Sequence, residues 1–455
     1  MSDPSESGAF PLPIDWVVTT VSDVIISIDA GKSPDCPDIP ASSGEWGVLK
    51  VSAVQPDGFK SQETKIIVNK AWINPAYEVQ DGDLLISRSN TFQLVGIVCH
   101  VRSPQPRLML CDKTLRMRVD PRRAMTDFVF WQFQQPSARR HIEVHATGTS
   151  GSMKNISQPS IRSLKIPLPP LPQQRKIARV LTTLDNVITQ TEALIAKYQA
   201  IKQGLMHDLF TRGVDATGKL RPPQSETPEL YKQSELGWIP KEWGSTTVAE
   251  VLQHRPKNGY SPKESDEWTG TVMLGLGCLT LSGFHPIQLK NAPKNDANLE
   301  RALLKDGDLL ISRSNTRDLV ALVGIYREIG IPCIYSDLMM RLVPANVVLP
   351  EYLEAILRHA PVRSQLTNAS CGTSGSMMKI NSEAVLRTVI ALPSLEEQRV
   401  LLSRMTAISS LIEAELLQRT SLRSIKTGLM QDLLTGRVPV KADEAAEGGM
   451  RNEEL

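Results

Sequence analysis

The chain has 455 residues, with 51 lysines and arginines against 49 aspartates and glutamates, a formal net charge of +2. This length exceeds what one hydrophobic core supports, so two or more domains are expected, and the balanced charge neither requires nor excludes a polyanionic partner. The six cysteines occur singly, without a Cys-x-x-Cys pair, which argues against a structural zinc and suits a reducing compartment.

The first twelve residues are expected to be disordered. The start of the chain is acidic and serine-rich, unlike the basic and apolar start of a signal peptide. The longest apolar runs, such as residues 319–326, are far shorter than the ~20 residues needed to span a bilayer. These features predict a soluble cytoplasmic protein without a membrane partner.

The central feature of the sequence is an eleven-residue segment that occurs twice without a change. Asp81–Thr91 reads Asp-Gly-Asp-Leu-Leu-Ile-Ser-Arg-Ser-Asn-Thr and returns as Asp306–Thr316, 225 positions later. Three further pairs of segments recur at offsets of 224–227, namely Pro13–Val21 with Pro240–Val248, Gly148–Met153 with Gly372–Met377, and Ile201–Leu209 with Ile425–Leu433. Because the offset hardly drifts, we interpret the whole chain as a tandem internal duplication.

Each copy is predicted to contain a globular part followed by a long helix. Turn signals such as Asp57-Gly58, between short apolar runs, indicate strands, so we predict an α+β fold with two homologous α/β-mixed domains. The predicted order is a disordered start (1–12), a first domain (13–172), a first helix (173–213), a linker (214–236), a second domain (237–394), a second helix (395–436) and a disordered acidic tail (437–455).

Heptad spacing predicts that the two long helices form a coiled coil. In the first helix, apolar positions alternate by four and three from Ile177 to Tyr198, and a parallel seam runs through Val180 and Val187. Two such helices in one chain are most simply paired with each other, in antiparallel orientation if the domains lie at opposite ends. The residues predicted to mediate subunit contacts and helix pairing are Leu181, Leu184, Ile188, Ile195, Met405, Ile408, Ile412 and Leu422.

Motifs at both ends of these helices resemble a known family. Gln173–Ile177 and Glu396–Val400, at the helix starts, and Lys202–Met206 and Lys426–Met430, near the helix ends, resemble segments of the specificity subunit of type I restriction–modification enzymes. The resemblance extends over residues 13–438, and its duplicated order is more specific than any single motif.

The resemblance implies a DNA sequence-recognition role without catalysis by the chain itself. Two target recognition domains would each read one half of a split site in double-stranded DNA, and the helix pair would set the spacing. The helices would also dock two methyltransferase subunits, and restriction/translocase subunits would join that core. No cofactor would be bound directly, since S-adenosylmethionine, ATP and Mg would lie on the partner subunits. The complex would be a type I site-specific deoxyribonuclease and adenine-specific methyltransferase.

The repeated loops carry side chains suited to contacts with nucleic acid. Arginine can bind guanine in a bidentate manner, asparagine can bind adenine, and serine or threonine can bind either. The Gly-Thr-Ser-Gly-Ser loops offer backbone N–H groups for phosphates, with a lysine nearby. The candidate DNA-binding residues are Lys50, Arg88, Ser89, Asn90, Thr91, Thr149, Ser150, Ser152, Lys154, Arg313, Ser314, Asn315, Thr316, Thr373, Ser374, Ser376 and Lys379.

The identity of these loops in both copies limits what they recognise. If the two domains read different half-sites, identical loops cannot supply the difference, so the loops are expected to contact phosphates or to serve as scaffold. Base reading is then expected from divergent segments such as 32–50 and 255–263. Residues 99–170 contain twelve lysines and arginines against four acidic residues, which indicates a DNA-facing surface or a merely solvated one.

Other patterns point to catalysis with less specificity. Asn74–Tyr77 approaches an adenine methyltransferase motif but lacks its second proline, and Asn-Pro is an ordinary turn. Asp38, Glu63 and Lys65 fit a loose magnesium-dependent nuclease pattern. His141 and His145 lack the adjacent glutamate of a zinc protease motif. The alternatives left open are a coiled-coil protein-interaction scaffold without DNA specificity and an enzyme with a degenerate nuclease site.

Overall fold

The computed structural model describes residues 12–148, 153–372 and 377–441, which form two compact units. Unit 1 comprises Met1–Ala193 and Leu417–Leu455, and unit 2 comprises Leu194–Leu416. Each unit therefore contains one mixed domain, the beginning of one long helix and the end of the other. Within these three ranges, no helix is long and apolar enough to cross a membrane. The predicted disordered ends lie almost wholly outside the described residues.

The domain of unit 1 is built on a four-stranded antiparallel sheet. The strands of the whole domain are β1 (Val17–Thr20), β2 (Ile25–Ala30), β3 (Gly47–Leu49), β4 (Val54–Gln55), β5 (Gly58–Phe59), β6 (Thr64–Ile66), β7 (Leu84–Ser87), β8 (Ser89–Asn90), β9 (Val98–His100), β10 (Leu108–Met109), β11 (Thr114–Val119), β12 (Lys154–Asn155) and β13 (Lys165–Leu168). The sheet order is β2-β11-β7-β9, and a second sheet has the order β10-β3-β6, with β10 parallel to β3.

Short helices cover the sheet of unit 1 and lead to the first long helix. They are α1 (Val21–Val24), α2 (Thr126–Phe133), α3 (Pro136–His145), α4 (Gln158–Arg162) and the 41-residue α5 (Leu171–Thr211). All four residues of β7 are buried, because this central strand has neighbours on both sides and packed side chains on both faces. The middle of the repeated segment is therefore part of the core of its domain.

Unit 2 repeats this topology and adds a hairpin, formed by its first two strands, before it. Its strands are β14 (Tyr231–Ser234), β15 (Gly237–Pro240), β16 (Gly244–Thr247), β17 (Lys257–Asn258), β18 (Val272–Leu274), β19 (Leu279–Thr280), β20 (Gly283–Phe284), β21 (Leu289–Asn291), β22 (Leu309–Ser312), β23 (Ser314–Asn315), β24 (Val323–Ile325), β25 (Cys333–Tyr335), β26 (Met339–Leu342), β27 (Met378–Lys379) and β28 (Val389–Leu392). The orders β17-β26-β22-β24 and β21-β18-β25 correspond to the two sheets of unit 1. The helices of its second half are α6 (Pro350–Arg358), α7 (Ala360–Asn368), α8 (Ser382–Arg387) and the 40-residue α9 (Leu395–Leu434).

The two long helices run antiparallel in each unit. In unit 1, Arg423 of α9 forms an ion pair with Glu192 of α5 at 2.5 Å, and Lys426 pairs with Asp185. Residue numbers therefore increase along one helix in the direction in which they decrease along the other. In unit 2, the backbone N–H of Val214, just after α5, donates to Glu397 in the first turn of α9 at 2.8 Å. The predicted architecture of two homologous mixed domains and two long antiparallel helices is confirmed.

The helix residues predicted to pair are turned inward to different degrees. The buried ones are Leu181, Ile188, Ile195, Ile408 and Ile412, and the half-buried ones are Leu184, Met405 and Leu422. The parallel seam behaves differently, since Val180, Val187 and Ile201 are exposed. This chain therefore covers one seam of α5 and leaves much of the other open to solvent.

A buried glutamine fixes each long helix to its own domain. Gln398 of α9 accepts a hydrogen bond from the backbone N–H of Leu349 at 2.9 Å, and its amide donates to the carbonyls of Val347 at 3.2 Å and Pro393 at 3.0 Å. Gln174 of α5 makes the same three contacts, with the N–H of Met125 and the carbonyls of Arg123 and Pro169. The glutamine of the helix-start motif is thus a clamp between the long helix and the first turn of α2 or α6.

The residue before each glutamine binds the tryptophan that recurs near the start of each domain. The indole N–H of Trp16 donates to Gln173 at 2.8 Å, and that of Trp243 donates to Glu397 at 2.9 Å. Two segments that recur in the sequence therefore meet in space in both units.

The segment with linker composition, residues 214–236, packs against unit 2. Val214 and Tyr231 are buried, and buried Arg221 forms ion pairs with Glu397 at 2.6 Å and Glu242 at 2.5 Å. Burial of Arg221 would lower its pKa, but hydrogen bonds and charge from these two glutamates raise it instead. The proline-rich composition did not reveal this ion-pair cluster.

Candidate nucleic-acid interface

In each unit, a strand of the eleven-residue segment pairs with a strand from further along the chain. Strand β8, within the eleven-residue segment, pairs with β12, which follows the Gly-Thr-Ser-Gly-Ser loop. In unit 2, β23 pairs with β27 in the same way. The N–H of Ile156 donates to the carbonyl of Arg88, and that of Ile380 to the carbonyl of Arg313, each at 2.9 Å. Each unit thus contains one such junction. The junction consists of β8, β12 and Arg88 in unit 1, and of β23, β27 and Arg313 in unit 2.

Several polar side chains of this junction face the protein. Ser89 and Ser314 are buried, and the Ser89 hydroxyl donates to the side-chain oxygen of Asn155. The side-chain oxygens of Asn90 and Asn315 accept from the next backbone N–H, at 2.9 and 2.8 Å. Such short asparagine contacts stabilise turns. Arg88 and Thr316 are exposed, while Thr91 and Arg313 are half-buried.

The acidic positions of the repeated segment hold each domain together. Asp83 accepts from the N–H of Gln80 at 2.9 Å and forms an ion pair with Arg116 at 3.1 Å. Asp308 forms the equivalent ion pair with Arg341, also at 3.1 Å. Arg116 is buried and additionally binds Asp29 at 3.2 Å and two backbone carbonyls. Most of the eleven-residue identity therefore serves the scaffold. Its one basic group is the arginine, which is exposed in unit 1 and half-buried in unit 2.

The basic stretch 99–170 is partly neutralised within unit 1. Besides the buried Arg116, Arg118 pairs with Asp29 at 2.7 Å and Arg139 with Glu143 at 2.8 Å. Arg122 pairs with Asp120 at 3.1 Å, and its hydrogen bond lowers the pKa of that carboxyl. The sequence excess of positive charge thus overstates the positive charge available to a partner.

A cavity with several lysines in its wall opens beside the junction of unit 1. It has a volume of about 490 Å³, and its lining includes Lys50, Lys65, Lys113, Asn90 and Ser52. Lys50 forms an ion pair with Asp38 at 3.0 Å, and Lys65 lies 3.9 Å from the same carboxylate. The hydrogen bond and charge of Lys50 lower the pKa of Asp38, and Asp38 in turn raises the pKa of Lys50. For the ammonium of Lys113, the described parts of the chain provide no hydrogen-bond or ion-pair partner.

The nuclease-like pattern occupies this same region but forms ion pairs. Asp38 faces two lysines, and Glu63 accepts a hydrogen bond from Ser52. Among the residues that the structure describes, no three or more histidine, cysteine or acidic side chains come together as metal ligands. The arrangement is a lysine–carboxylate cluster on the cavity wall.

The remaining motifs have local structural roles or lie outside the described residues. Asn74 caps the short 3-10 helix Pro75–Tyr77, and its side chain accepts from the N–H of Ala76 at 3.1 Å. The rings of His141 and His145 stack at 4.1 Å. Lys154 donates to the carbonyl of Gly148 at 2.5 Å, and Lys379 is exposed. The candidates outside the described residues are Thr149, Ser150, Ser152, Thr373, Ser374 and Ser376.

The segments predicted to be divergent, 32–50 and 255–263, contain a further contact that is repeated in both units. Ser33 donates to the Asp112 side chain, and Ser261 donates to that of Asp337 at 2.5 Å. Both serines lie in the pattern Gly-x-Ser-Pro, at Gly31–Pro34 and Gly259–Pro262, with an offset of 228. The sequence signal for this contact is the short pattern itself, whose offset of 228 differs slightly from the 224–227 of the other repeats. Its position shows that the divergent segments still follow one path.

Comparison with known proteins finds similarity to one class of protein. A family model described as the type I restriction modification DNA specificity domain matches residues 134–203. The EcoEI specificity subunit of Escherichia coli is 32% identical over 199 residues, which cover 44% of this chain and only 33% of that protein. The MjaVIII specificity subunit of Methanocaldococcus jannaschii is 25% identical over 452 residues, or 96% of each chain.

Solved structures agree with this class at the level of the fold. The S subunit of a type I restriction–modification system from M. genitalium superimposes with a TM-score of 0.57 at 14% identity, covering 92% of this chain and 96% of that one. A chain from a structure of an assembled type I system gives 0.53 at 17% identity, covering 94% and 100%. The predicted resemblance is confirmed. The chain is similar to a specificity subunit of a type I restriction enzyme over nearly its whole length.

Proposed function

We propose that this protein is the non-catalytic DNA sequence-recognition subunit of a type I restriction–modification complex and acts in the cytoplasm. Each mixed domain reads one half of a bipartite site in double-stranded DNA. The observation that carries the proposal is that one junction is repeated in both units beside a wall that differs between the copies. The junction arginine is exposed in unit 1 and half-buried in unit 2. A shared contact positions the DNA backbone, and a divergent wall selects bases.

The helix pair is proposed to set the spacing between half-sites and to dock two methyltransferase subunits. Apolar side chains on the helix surface support a protein partner, since Val180, Val187, Leu417 and Ile425 of unit 1 are exposed. Restriction/translocase subunits would join this core. S-adenosylmethionine, ATP and Mg would then be bound by the partner subunits.

The proposal is tested by footprinting the full-length protein together with its methyltransferase partner. We expect two protected patches separated by an unprotected gap. Protection of one short contiguous site would contradict the bipartite function. If the protein showed no salt-sensitive retention of DNA at two ionic strengths, the coiled-coil scaffold would be the better account. Magnesium-dependent cleavage by the chain alone would favour the nuclease alternative.

The junction arginines are expected to contribute affinity without sequence preference. Arg88→Ala and Arg313→Ala should weaken binding to all sequences by similar factors, because the same arginine in both units cannot distinguish two half-sites. Each substitution should also reduce the slope of log affinity against log salt by about one phosphate contact. Titrations of specific and random duplexes at several salt concentrations measure both effects.

Lys70→Ala is the control for these substitutions. Lys70 is exposed on a short 3-10 helix and is not part of the junction or the cavity lining, so its removal should leave the salt slope nearly unchanged. A change in base preference at one position after Arg88→Ala would overturn the assignment to phosphate contact.

A further inference from the structure

The cavity wall of unit 1 has an identifiable counterpart in unit 2. Strand β3 pairs with β6 so that Val48 lies opposite Lys65, and β18 pairs with β21 so that Met273 lies opposite Lys290. Two residues further along, each copy makes the same backbone contact. The N–H of Lys50 donates to the carbonyl of Glu63, and that of Gly275 to the carbonyl of Gln288, both at 2.9 Å. Lys50 therefore corresponds to Gly275.

A second lysine of the wall is matched in the same way. The N–H of Arg88 donates to the carbonyl of Lys113, and that of Arg313 to the carbonyl of Leu338, both at 2.8 Å. Lys113 therefore corresponds to Leu338. The scaffold around this position is common to both copies, so the exchange of a cation for a leucine is a local difference in chemistry.

In unit 2, the side chain of Gln288 fills the space beside Gly275 and Gly277. A Cβ placed on Gly275 would lie 2.7 Å from the side chain of Gln288, and one on Gly277 would lie 2.8 Å from its oxygen. That oxygen accepts a hydrogen bond from the N–H of Gly277 at 2.6 Å. Gln288 itself is exposed. Unit 2 thus presents an amide beside the position of Lys50 and a leucine at the position of Lys113.

We infer that Lys50 and Lys113 determine the sequence preference of unit 1 by selecting guanine in its half-site. This inference rests on the proposed function. A lysine ammonium has three donors and no acceptor, so it matches a base edge that offers acceptors alone. Guanine presents two acceptors, N7 and O6, in the major groove, whereas adenine presents a donor beside its N7. The aligned wall of unit 2, with Gly275, Gln288 and Leu338, lacks both ammonium groups and does not share this preference.

The positions of the two lysines support base reading over a purely structural role. Both line the cavity next to the surface arginine of the junction, which is proposed to hold the DNA backbone. Lys113 has no partner in the described residues, and Lys50 is held by an exposed carboxylate, Asp38, whose ion pair is weak and readily exchanged. A bound base edge would supply an acceptor for Lys113 and would replace Asp38 as the acceptor for Lys50.

The test is selection of bound sequences from a library of DNA duplexes with a random central region. The full-length protein is used as the complex with its methyltransferase partner, in wild-type form and as Lys50→Met and Lys113→Leu. Methionine keeps the apolar stem of Lys50, and leucine copies the residue of unit 2. Each variant should lose a preference for guanine by roughly tenfold to a hundredfold at one or two positions in one half-site. The other half-site should be unchanged, which also shows that the variant is folded.

The outcomes separate the inference from the proposed function. Weaker enrichment of every sequence with unchanged base preferences would assign both lysines to phosphate contacts and overturn the inference alone. A wild-type half-site without guanine at the affected positions would do the same. If the wild-type complex enriches no bipartite sequence at all, the proposed function fails and the inference falls with it. Lys70→Ala, the control used for the junction arginines, should retain every wild-type preference.

Discussion

Replacing Arg116 with methionine is expected to destabilise unit 1 by about 3–5 kcal/mol, the cost of leaving a buried charge without its partner. The Arg116 side chain is 3% exposed and lies between Asp29 at 3.2 Å and Asp83 at 3.1 Å. Asp83 is itself only 14% exposed. Methionine fills a similar volume but satisfies neither carboxylate, nor the carbonyls of Ala76 and Glu78 to which Arg116 donates.

Arg118→Met is the matched control for this prediction. Arg118 lies on the same strand and pairs with the same carboxylate, Asp29, at 2.7 Å, but its side chain is 50% exposed. Solvent screens such a pair, so the expected loss is about 0–1 kcal/mol. Thermal unfolding and hydrogen exchange of the amides in β7 and β11 measure the difference. Equal effects of the two substitutions would show that burial of Arg116 does not set its contribution.

Much of the fold was predictable because the chain contains its own comparison. The identity of Asp81–Thr91 with Asp306–Thr316 indicated a duplication, and the heptad pattern indicated the long helices. The structure confirms both at the level of strand order, down to the parallel pairs β3–β10 and β18–β25. The first long helix was predicted to begin at residue 173 but begins at Leu171, with Pro172 in its first turn, where proline is tolerated.

The role of the repeated segment was less predictable, since sequence alone does not reveal which way a side chain faces. The polar run after β7 indicated a surface loop, yet Ser89 and Ser314 are buried by the neighbouring strand of the same junction. That neighbouring strand lies some 60 residues further along the chain. The positions of Lys50 and Lys113 on one cavity wall have the same origin, because strands distant in sequence meet there. Such long-range pairing leaves no local pattern in the sequence.

Replacing Gln398 with methionine is expected to destabilise unit 2 by about 3 kcal/mol, from three buried hydrogen bonds worth about 1 kcal/mol each. Gln398 is fully buried and joins α9 to the N–H of Leu349 before α6 and to two carbonyls. Methionine is similar in size, so the loss measures the hydrogen bonds with little contribution from a cavity. Gln174→Met, which removes the same three contacts in unit 1, should have a comparable effect.

Gln418→Met separates this clamp from a general effect on the helix. Gln418 lies on the same helix, α9, but is exposed, so its replacement should change stability by less than about 0.5 kcal/mol. Thermal unfolding of the three variants, with hydrogen exchange at the starts of α6 and α9, provides the measurement. If Gln398→Met unfolded like Gln418→Met, the glutamine would not fix the helix to its domain. A large effect would instead explain why both copies carry glutamine at this helix start. The glutamine would then orient the long helix in the same way on two domains whose cavity walls differ.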